Sequence, residues 1–464
     1  MVFSSTIFLF MFLPLTILIY YNPFIKSRAF RNHFLLFMSL LFYVWGEPIF
    51  VFLMIISIIA GWFVGLRIEK AQTQSSKKRW LAMGTIFHVG LLFIFKYLTF
   101  TAHELGILFH QNFSAIHIAL PIGISFFTFQ LLSYLIDVYR GQSQAQKSVL
   151  SVGLYIALFP QLIAGPIVRY NTVAKQIMGR KENMTGFTEG MSRFIYGLAK
   201  KVLVADYVGQ VADMIFGIDG NLSVGMAWLG AIAYTLQIYF DFSGYSDMAI
   251  GLGRMFGFRF QENFRYPYVA KSATEFWRRW HISLGTWFRD YVYIPLGGNR
   301  VSKSRWIWNL FVVWALTGIW HGANWTFLVW GLFYFVLLLV ERLTGFTKHL
   351  GMFAHIYAMA AVIIGWAMFR SDNITAGVHY IGMMFGIGAD GLTNKVFWDA
   401  MANSIRIMLI GIVLSLPIFP WLKAKCIRKS IWQYGEPIFT LTLFLLSLIA
   451  AIGSSYHPFI YFNF

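Results

Sequence analysis

Two histidines stand where the chain offers unusual chemistry. His321 and Asn324 interrupt the otherwise apolar stretch Gly318 to Thr326, GIWHGANWT. Ionisable groups at membrane depth are costly, so a histidine in such a run is a functional candidate by default. A neutral imidazole is the form a general base needs, and that is the role this reading gives His321. The structural alternative is a histidine satisfied by a neighbouring carbonyl. His281 lies forty residues upstream, in the stretch Lys271 to Arg300, KSATEFWRRWHISLGTWFRDYVYIPLGGNR, where seven formal charges fall in thirty residues. Trp277, Trp280 and Trp287 are interleaved there with Arg278, Arg279, His281, Arg289 and Asp290. Such a mixture suits short helices at an interface or lining a wet cavity and is too polar for an ordinary span. One reading is an amphipathic anchor with snorkelling arginines. The other makes Arg278 and Arg279 a site for anionic groups, because planar guanidiniums suit the phosphates of a donor such as coenzyme A. His281 is then a site residue or a hydrogen-bonded partner.

A third polar cluster, YFDFSGYSDMAIGLG, puts Asp241, Ser243, Ser246 and Asp247 inside a segment long enough to span. Its glycines permit close helix packing and its hydroxyls can bond across helices, so structural glue is favoured over cation binding. The nearby near-match to GxGxxG, Gly251 to Phe256, lacks its last glycine and follows no strand, and is discarded as a nucleotide motif. His281 and His321 have no HExxH or paired-cysteine pattern around them, so no metal is expected. The single cysteine, Cys426, excludes an internal disulfide and lies among Lys423, Lys425, Arg428 and Lys429.

The elements that must position these groups are membrane helices. The chain has 464 residues, 58% hydrophobic and 19% aromatic with 12% charged. Soluble domains run closer to half apolar and a quarter charged, so a water-soluble fold is excluded. The apolar segments follow one another with short polar breaks, which leaves one membrane-embedded domain over residues 1–464 and a lipid bilayer as its surroundings. Roughly twelve spans of about 20 residues are expected, near residues 4–21, 33–45, 48–66, 81–99, 118–138, 149–166, 189–217 and 226–252, with four or five more between Ile307 and Ile452. Val2 to Tyr21 lacks a basic n-region and a small-residue cleavage site, so it is expected to stay as a first span. Gly46-Glu47-Pro48 breaks a long apolar run into a hairpin.

The net charge of +18 comes from basic residues in short loops beside apolar segments rather than from one amphipathic stripe, so nucleic acid is not the partner. The loops carrying Lys26, Arg28 and Arg31, and Arg67, Lys70, Lys77, Lys78 and Arg79, are assigned to the cytoplasm, as is Lys423 to Lys429. The N-terminus is then outside, and the tail 454–464 faces the exterior.

These stretches together resemble the membrane-bound O-acyltransferase (MBOAT) family, in its bacterial branch of alginate and peptidoglycan O-acetyltransferase membrane subunits. The resemblance covers most of the chain: the opening MVFSS, then LPIGISFFTFQLLSYLIDVYRG, LIAGPIVRY, YFDFSGYSDMAIGLG, ENFRYPY, TEFWRRWHISLGTWFRDYVYIPLGGNR and WHGANW, in one order. It implies an all-α polytopic fold, a ring of transmembrane and re-entrant helices around a central tunnel, in a bacterial inner membrane. It also implies acetyl-CoA as cytosolic donor and an extracytoplasmic polysaccharide as ultimate acceptor. His321 matches the family's catalytic histidine, and His281 its second polar position, held by histidine in this branch and asparagine in many eukaryotic relatives. Phe459, Tyr461 and Phe464 fit the Phe-x-Tyr-x-x-Phe tail of cell-surface acylation systems, where the tyrosine resembles a covalent acyl carrier. A phenol with pKa near 10 needs a base to become a nucleophile, which pairs Tyr461 with His321; the alternative is an aromatic belt anchor. The chain has no GxSxG elbow, so the final transfer calls for an exported SGNH-type serine esterase or acetyltransferase partner. Acyl transfer from a carrier protein, as in teichoic acid D-alanylation, and a transporter are the rivals; no paired half-repeats favour the latter.

Overall fold

The computed structural model describes residues 1–111, 118–163, 165–426, 430–453 and 459–460, and among them the secondary structure is helical, with no strand. Tyr461 and Phe464 lie outside the described residues. The chain packs as two compact units, Met1–Phe194 with Ser246–Gln261, and Ile195–Tyr245 with Glu262–Phe464. Among the described residues six helices are long and apolar enough to cross a membrane: Phe50–Lys70, Gln74–Phe109, Trp325–Thr344, Phe353–Arg370, Lys395–Leu414 and Gly435–Gly453. Phe8–Tyr20 and Ile124–Tyr139 are shorter apolar helices. The protein is thus an all-α, multi-pass membrane protein. Large apolar side chains such as Leu18, Ile86 and Leu108 stand exposed, as a lipid-facing surface requires.

Among the described residues fewer helices combine spanning length with high hydropathy than the roughly twelve apolar runs suggest, and the reasons are local. The run 149–166 breaks into Val149–Ala157 and Phe159–Leu162, with Pro160 in the first turn of the second piece. Over the run 189–217 the helix continues from Met184–Ala199 through a π-helical turn, Lys200–Ala205, into Asp206–Phe216, and carries Arg193, Lys200, Lys201, Asp206 and Asp213 along its length. The hairpin at Gly46-Glu47-Pro48 forms as expected, between Arg28–Val44 and Phe50–Lys70.

In the first unit the Ile124–Tyr139 helix is the core: every residue from Ile124 to Leu135 is buried. Its neighbours approach through glycines. A Cβ added at Gly61 would lie 2.5 Å from the Leu131 side chain, one at Gly65 2.5 Å from the Tyr134 hydroxyl, and one at Gly84 2.7 Å from Leu135. Small residues at such crossings let membrane helices gain dispersion contacts that lipid cannot supply.

The same unit holds a polar knot where the chain leaves its first helix. Arg180, whose side chain is 0% exposed, donates to the Ile177 carbonyl at 2.7 Å, to the Phe256 carbonyl at 3.1 Å and to the Tyr20 hydroxyl at 3.1 Å. Arg28 donates through both terminal nitrogens to the Glu182 carboxylate, and Tyr20 donates to it as well. Burial alone would raise the Glu182 carboxyl; the hydrogen bonds from Arg28 and Tyr20 outweigh it and hold that group at about 2. Breaking a buried ion pair by removing one partner costs about 3–5 kcal/mol. Glu182→Gln is therefore expected to lower the thermal midpoint of the detergent-solubilised protein by several degrees. Because the carboxyl is depressed from 4.5 to about 2, its contribution is complete above pH 4.5 and is lost as pH falls through about 2. The gap between wild type and Glu182→Gln should close over that window in a melting series.

Candidate active site

The second unit places His281 and His321 around one tryptophan. Ala273–Arg279 and Ile282–Phe288 are helices of seven residues each, about 10 Å long and unable to span a bilayer. His281 sits between them with φ 44° and ψ 51°, a left-handed backbone that few side chains adopt. Asn263 fastens this corner. Its main-chain carbonyl accepts the Ile282 N–H at 3.0 Å. Its side-chain oxygen accepts the Ser283 N–H at 3.2 Å and the Ser283 hydroxyl at 2.8 Å, and lies 3.2 Å from His281 Nδ1.

Those contacts bear on the tautomer. A backbone N–H can only donate, so the Asn263 atom facing Ser283 is the oxygen, and an oxygen can only accept from His281 Nδ1. The Asn263 oxygen thus favours the tautomer with the proton on Nδ1, which leaves the lone pair on Nε2. Burial in apolar surroundings lowers the His281 imidazolium to about 3, so the ring is neutral at physiological pH. Phe242 meets this imidazole edge to face at 4.7 Å.

His321 is the last residue of the Lys303–His321 helix, 6% exposed. The helix returns after three residues as Trp325–Thr344, and the two legs touch through glycine. A Cβ at Gly318 would lie 2.4 Å from the Phe327 carbonyl oxygen, and one at Gly331 2.5 Å from that of Trp314. Asn324, paired with His321 in the sequence reading, serves the fold. Its side-chain oxygen caps the return helix by accepting the Thr326 N–H at 3.0 Å, and its nitrogen donates to the Asp372 carbonyl at 2.7 Å. The His321 ring stands against Trp320, Trp330 and Phe369 at 5.0, 5.0 and 5.4 Å between centroids. Trp320 also meets His281 at 5.9 Å. Both imidazoles therefore line one aromatic, water-poor neighbourhood, where electrostatic interactions are strengthened.

The two arginines part company. Arg279 pairs with Glu275 at 2.8 Å and donates to the Arg265 carbonyl at 3.2 Å. Arg278 is exposed and, among the described residues, makes no ion pair. It is the one of the two open to an anionic ligand. Among the described residues no group of three His, Cys, Asp or Glu could hold a metal ion.

Sequence reading passed over Asn263 and Glu341. Glu341 is 6% exposed near the end of the Trp325–Thr344 helix. It accepts the Ala273 N–H at 2.6 Å, the Thr274 N–H at 2.9 Å, the Thr274 hydroxyl at 2.6 Å and the Tyr357 hydroxyl at 3.1 Å. It thus caps the helix that carries Arg278 and leads to His281. The signal was available: an acid buried at a helix C-terminus opposes the helix dipole and demands donors from elsewhere.

A multi-pass helical membrane protein with two buried histidines against one tryptophan is the class these features define. Residues 49–371 match the model of the MBOAT, membrane-bound O-acyltransferase family. The chain is 39% identical, over 100% of both proteins, to the protein named "Probable alginate O-acetylase AlgI" of Pseudomonas putida. It is 31% identical to "Peptidoglycan O-acetyltransferase" of Helicobacter pylori over 100% of this chain and 98% of that one. Similarity to "Teichoic acid D-alanyltransferase" of Bacillus subtilis is 29%, over 47% of this chain and 58% of that one. The chain belongs to the membrane-bound O-acyltransferase family, and is a membrane-bound O-acyltransferase enzyme.

Two outcomes follow from the geometry. Glu341→Ala orphans buried donors, each worth about 1–3 kcal/mol when unsatisfied; a lowered melting temperature and reduced acyl transfer are expected, with Glu341→Gln closer to wild type. In 15N spectra of histidine-labelled protein, His281 should stay neutral with Nδ1 protonated at pH 5. Its folded value of about 3 lies below the ordinary 6.5, so its stabilising contribution is complete above pH 6.5 and declines as pH falls toward about 3.

Proposed function

We propose that this enzyme carries an acetyl group from cytosolic acetyl-CoA across a bacterial inner membrane for O-acetylation of an extracytoplasmic polysaccharide. The observation that carries the reading is the pairing of His321 with His281 around Trp320, in a chain alignable end to end with a named alginate O-acetylase. Arg278 meets the donor's phosphates at the cytosolic side. His321 takes the proton of an acceptor hydroxyl, for which Tyr461 on the exterior tail is the assigned group, and His281 lines the same site. The phenolate oxygen attacks the thioester carbonyl, the carbon–sulfur bond breaks, and the proton held by His321 passes to the departing thiolate. Acetyl-tyrosine and free coenzyme A result. An SGNH-type serine esterase-like partner, exported or anchored, then moves the acetyl group to the polymer. Both termini face the exterior.

Partial similarity to a teichoic acid D-alanyltransferase supports a second reading, transfer of D-alanine or another acyl group from a carrier protein. The longer alignments with acetyl-transferring relatives favour the first.

The test is incubation of purified protein with acetyl-labelled coenzyme A, followed by digestion and mass spectrometry of the peptide containing Tyr461. Label is expected on Tyr461 and should fall by about 10²–10⁴-fold in His321→Ala, the span attributed to a general base. Donor binding without label would turn the reading toward direct transfer to the partner. Binding of an acyl-carrier protein in place of acetyl-CoA would favour the second reading.

A further inference from the structure

Asp241, Lys201 and Asp206 form a buried triad in the second unit, 1%, 5% and 3% exposed. The π-helical turn Lys200–Ala205 carries the lysine, and Gly244 brings the Val224–Met255 helix close, since a Cβ there would lie 2.8 Å from the Gly197 carbonyl oxygen. Lys201 Nζ lies 2.6 Å from Asp206 Oδ1 and 2.8 Å from Asp241 Oδ1. Two carboxylates share one ammonium. The second oxygen of Asp241 accepts the backbone N–H of Ile460, 219 residues further on, at 2.8 Å. One turn along the same helix, the ring of Tyr245 meets that of Phe459 at 4.7 Å. Phe459 and Ile460 are 4% and 7% exposed.

As a source of stability alone this cluster is hard to justify. Buried ion pairs do no better than well-packed apolar residues of the same volume, and they are more expensive still at membrane depth. What the charge adds is a strong acceptor for an amide proton, independent of the side chain at 460. Residues four apart on a helix share a face, so Asp241 and Tyr245 grip two consecutive residues of the tail.

We propose that Asp241 is a positioning residue that anchors the C-terminal tail through the Ile460 amide, with Lys201 and Asp206 orienting its carboxylate and Tyr245 seating Phe459. The anchor fixes the chain one residue before Tyr461. Its consequence for acyl transfer rests on the proposed tyrosine relay, while the anchor itself does not.

The experiment uses the full chain with Cys426→Ser and Ile460→Cys, and measures the rate at which a maleimide reaches residue 460. The cysteine keeps the backbone N–H, so the parent is expected to react slowly. Asp241→Leu, which removes the acceptor, should react at least about tenfold faster. Asp241→Asn keeps an amide oxygen and should stay nearer the parent. Equal rates in parent and Asp241→Leu, or a parent that already reacts like an exposed thiol, overturn the proposal. Should Asp241→Leu fail to accumulate folded, hydrogen exchange at the Ile460 amide of the unsubstituted protein decides the matter: slow exchange supports the anchor and exchange at the free-peptide rate overturns it. Acetyl label on Tyr461 is scored separately. Its absence counts against the relay, whereas the anchor stands or falls on residue 460 alone.

Discussion

The carboxylate of Glu341 is the constraint on which the histidine site depends. It gathers two backbone amides, a hydroxyl and a phenol from two segments of chain, and so ties the Ala273–Arg279 helix and Phe353–Arg370 to its own helix, Trp325–Thr344. A seven-residue helix has too few internal hydrogen bonds to hold itself, because its first N–H groups and last carbonyls lack partners within it. Glu341 supplies acceptors at its beginning and Asn263 organises the corner at its end. Between them the helix becomes rigid enough to set the position of Arg278 and the backbone of His281.

The aromatic surroundings act differently. Trp277 packs against Trp314, Trp330 and Tyr334, and Trp280 against Trp366. Rings of this size fill volume with few rotatable bonds, so they exclude water at little entropic cost. An imidazole in such a shell meets fixed edges and faces rather than mobile solvent. That pre-organisation is what electrostatic catalysis needs, since the surroundings have nothing left to rearrange when charge develops.

Much of this was legible in the chain, and the limits have physical causes. Polar residues inside apolar runs are rare enough to stand out, which is how His321 and Asn324 drew notice; only the fold shows that Asn324 is a helix cap, because both are polar and both sit at a helix end. Arg278 and Arg279 look alike in FWRRWH, although the spacing of Glu275 and Arg279 already permits an i,i+4 pair that occupies one of them. Asp241 was read as glue between helices. Its bond to a tail more than two hundred residues away leaves no local pattern. Helix existence was more legible than helix regularity, because a π-helical turn such as Lys200–Ala205 depends on packing rather than on a residue type.

The left-handed backbone at His281 bears on which sequences this site can accept. An L-residue there crowds its own Cβ against the chain, and a β-branched side chain would crowd it further, so valine, isoleucine and threonine are disfavoured whatever their chemistry. Asparagine tolerates that conformation best after glycine, with histidine and aspartate also enriched in it. Position 281 also borders a dry aromatic wall and the Asn263 side-chain oxygen, to which glycine offers no side-chain donor and which a carboxylate would repel. Backbone and chemistry filter independently, and the residues that pass both are chiefly histidine and asparagine. A corner of this shape therefore narrows the evolutionary choice at 281 to nearly the pair that the family resemblance associates with it, before any demand of catalysis is imposed.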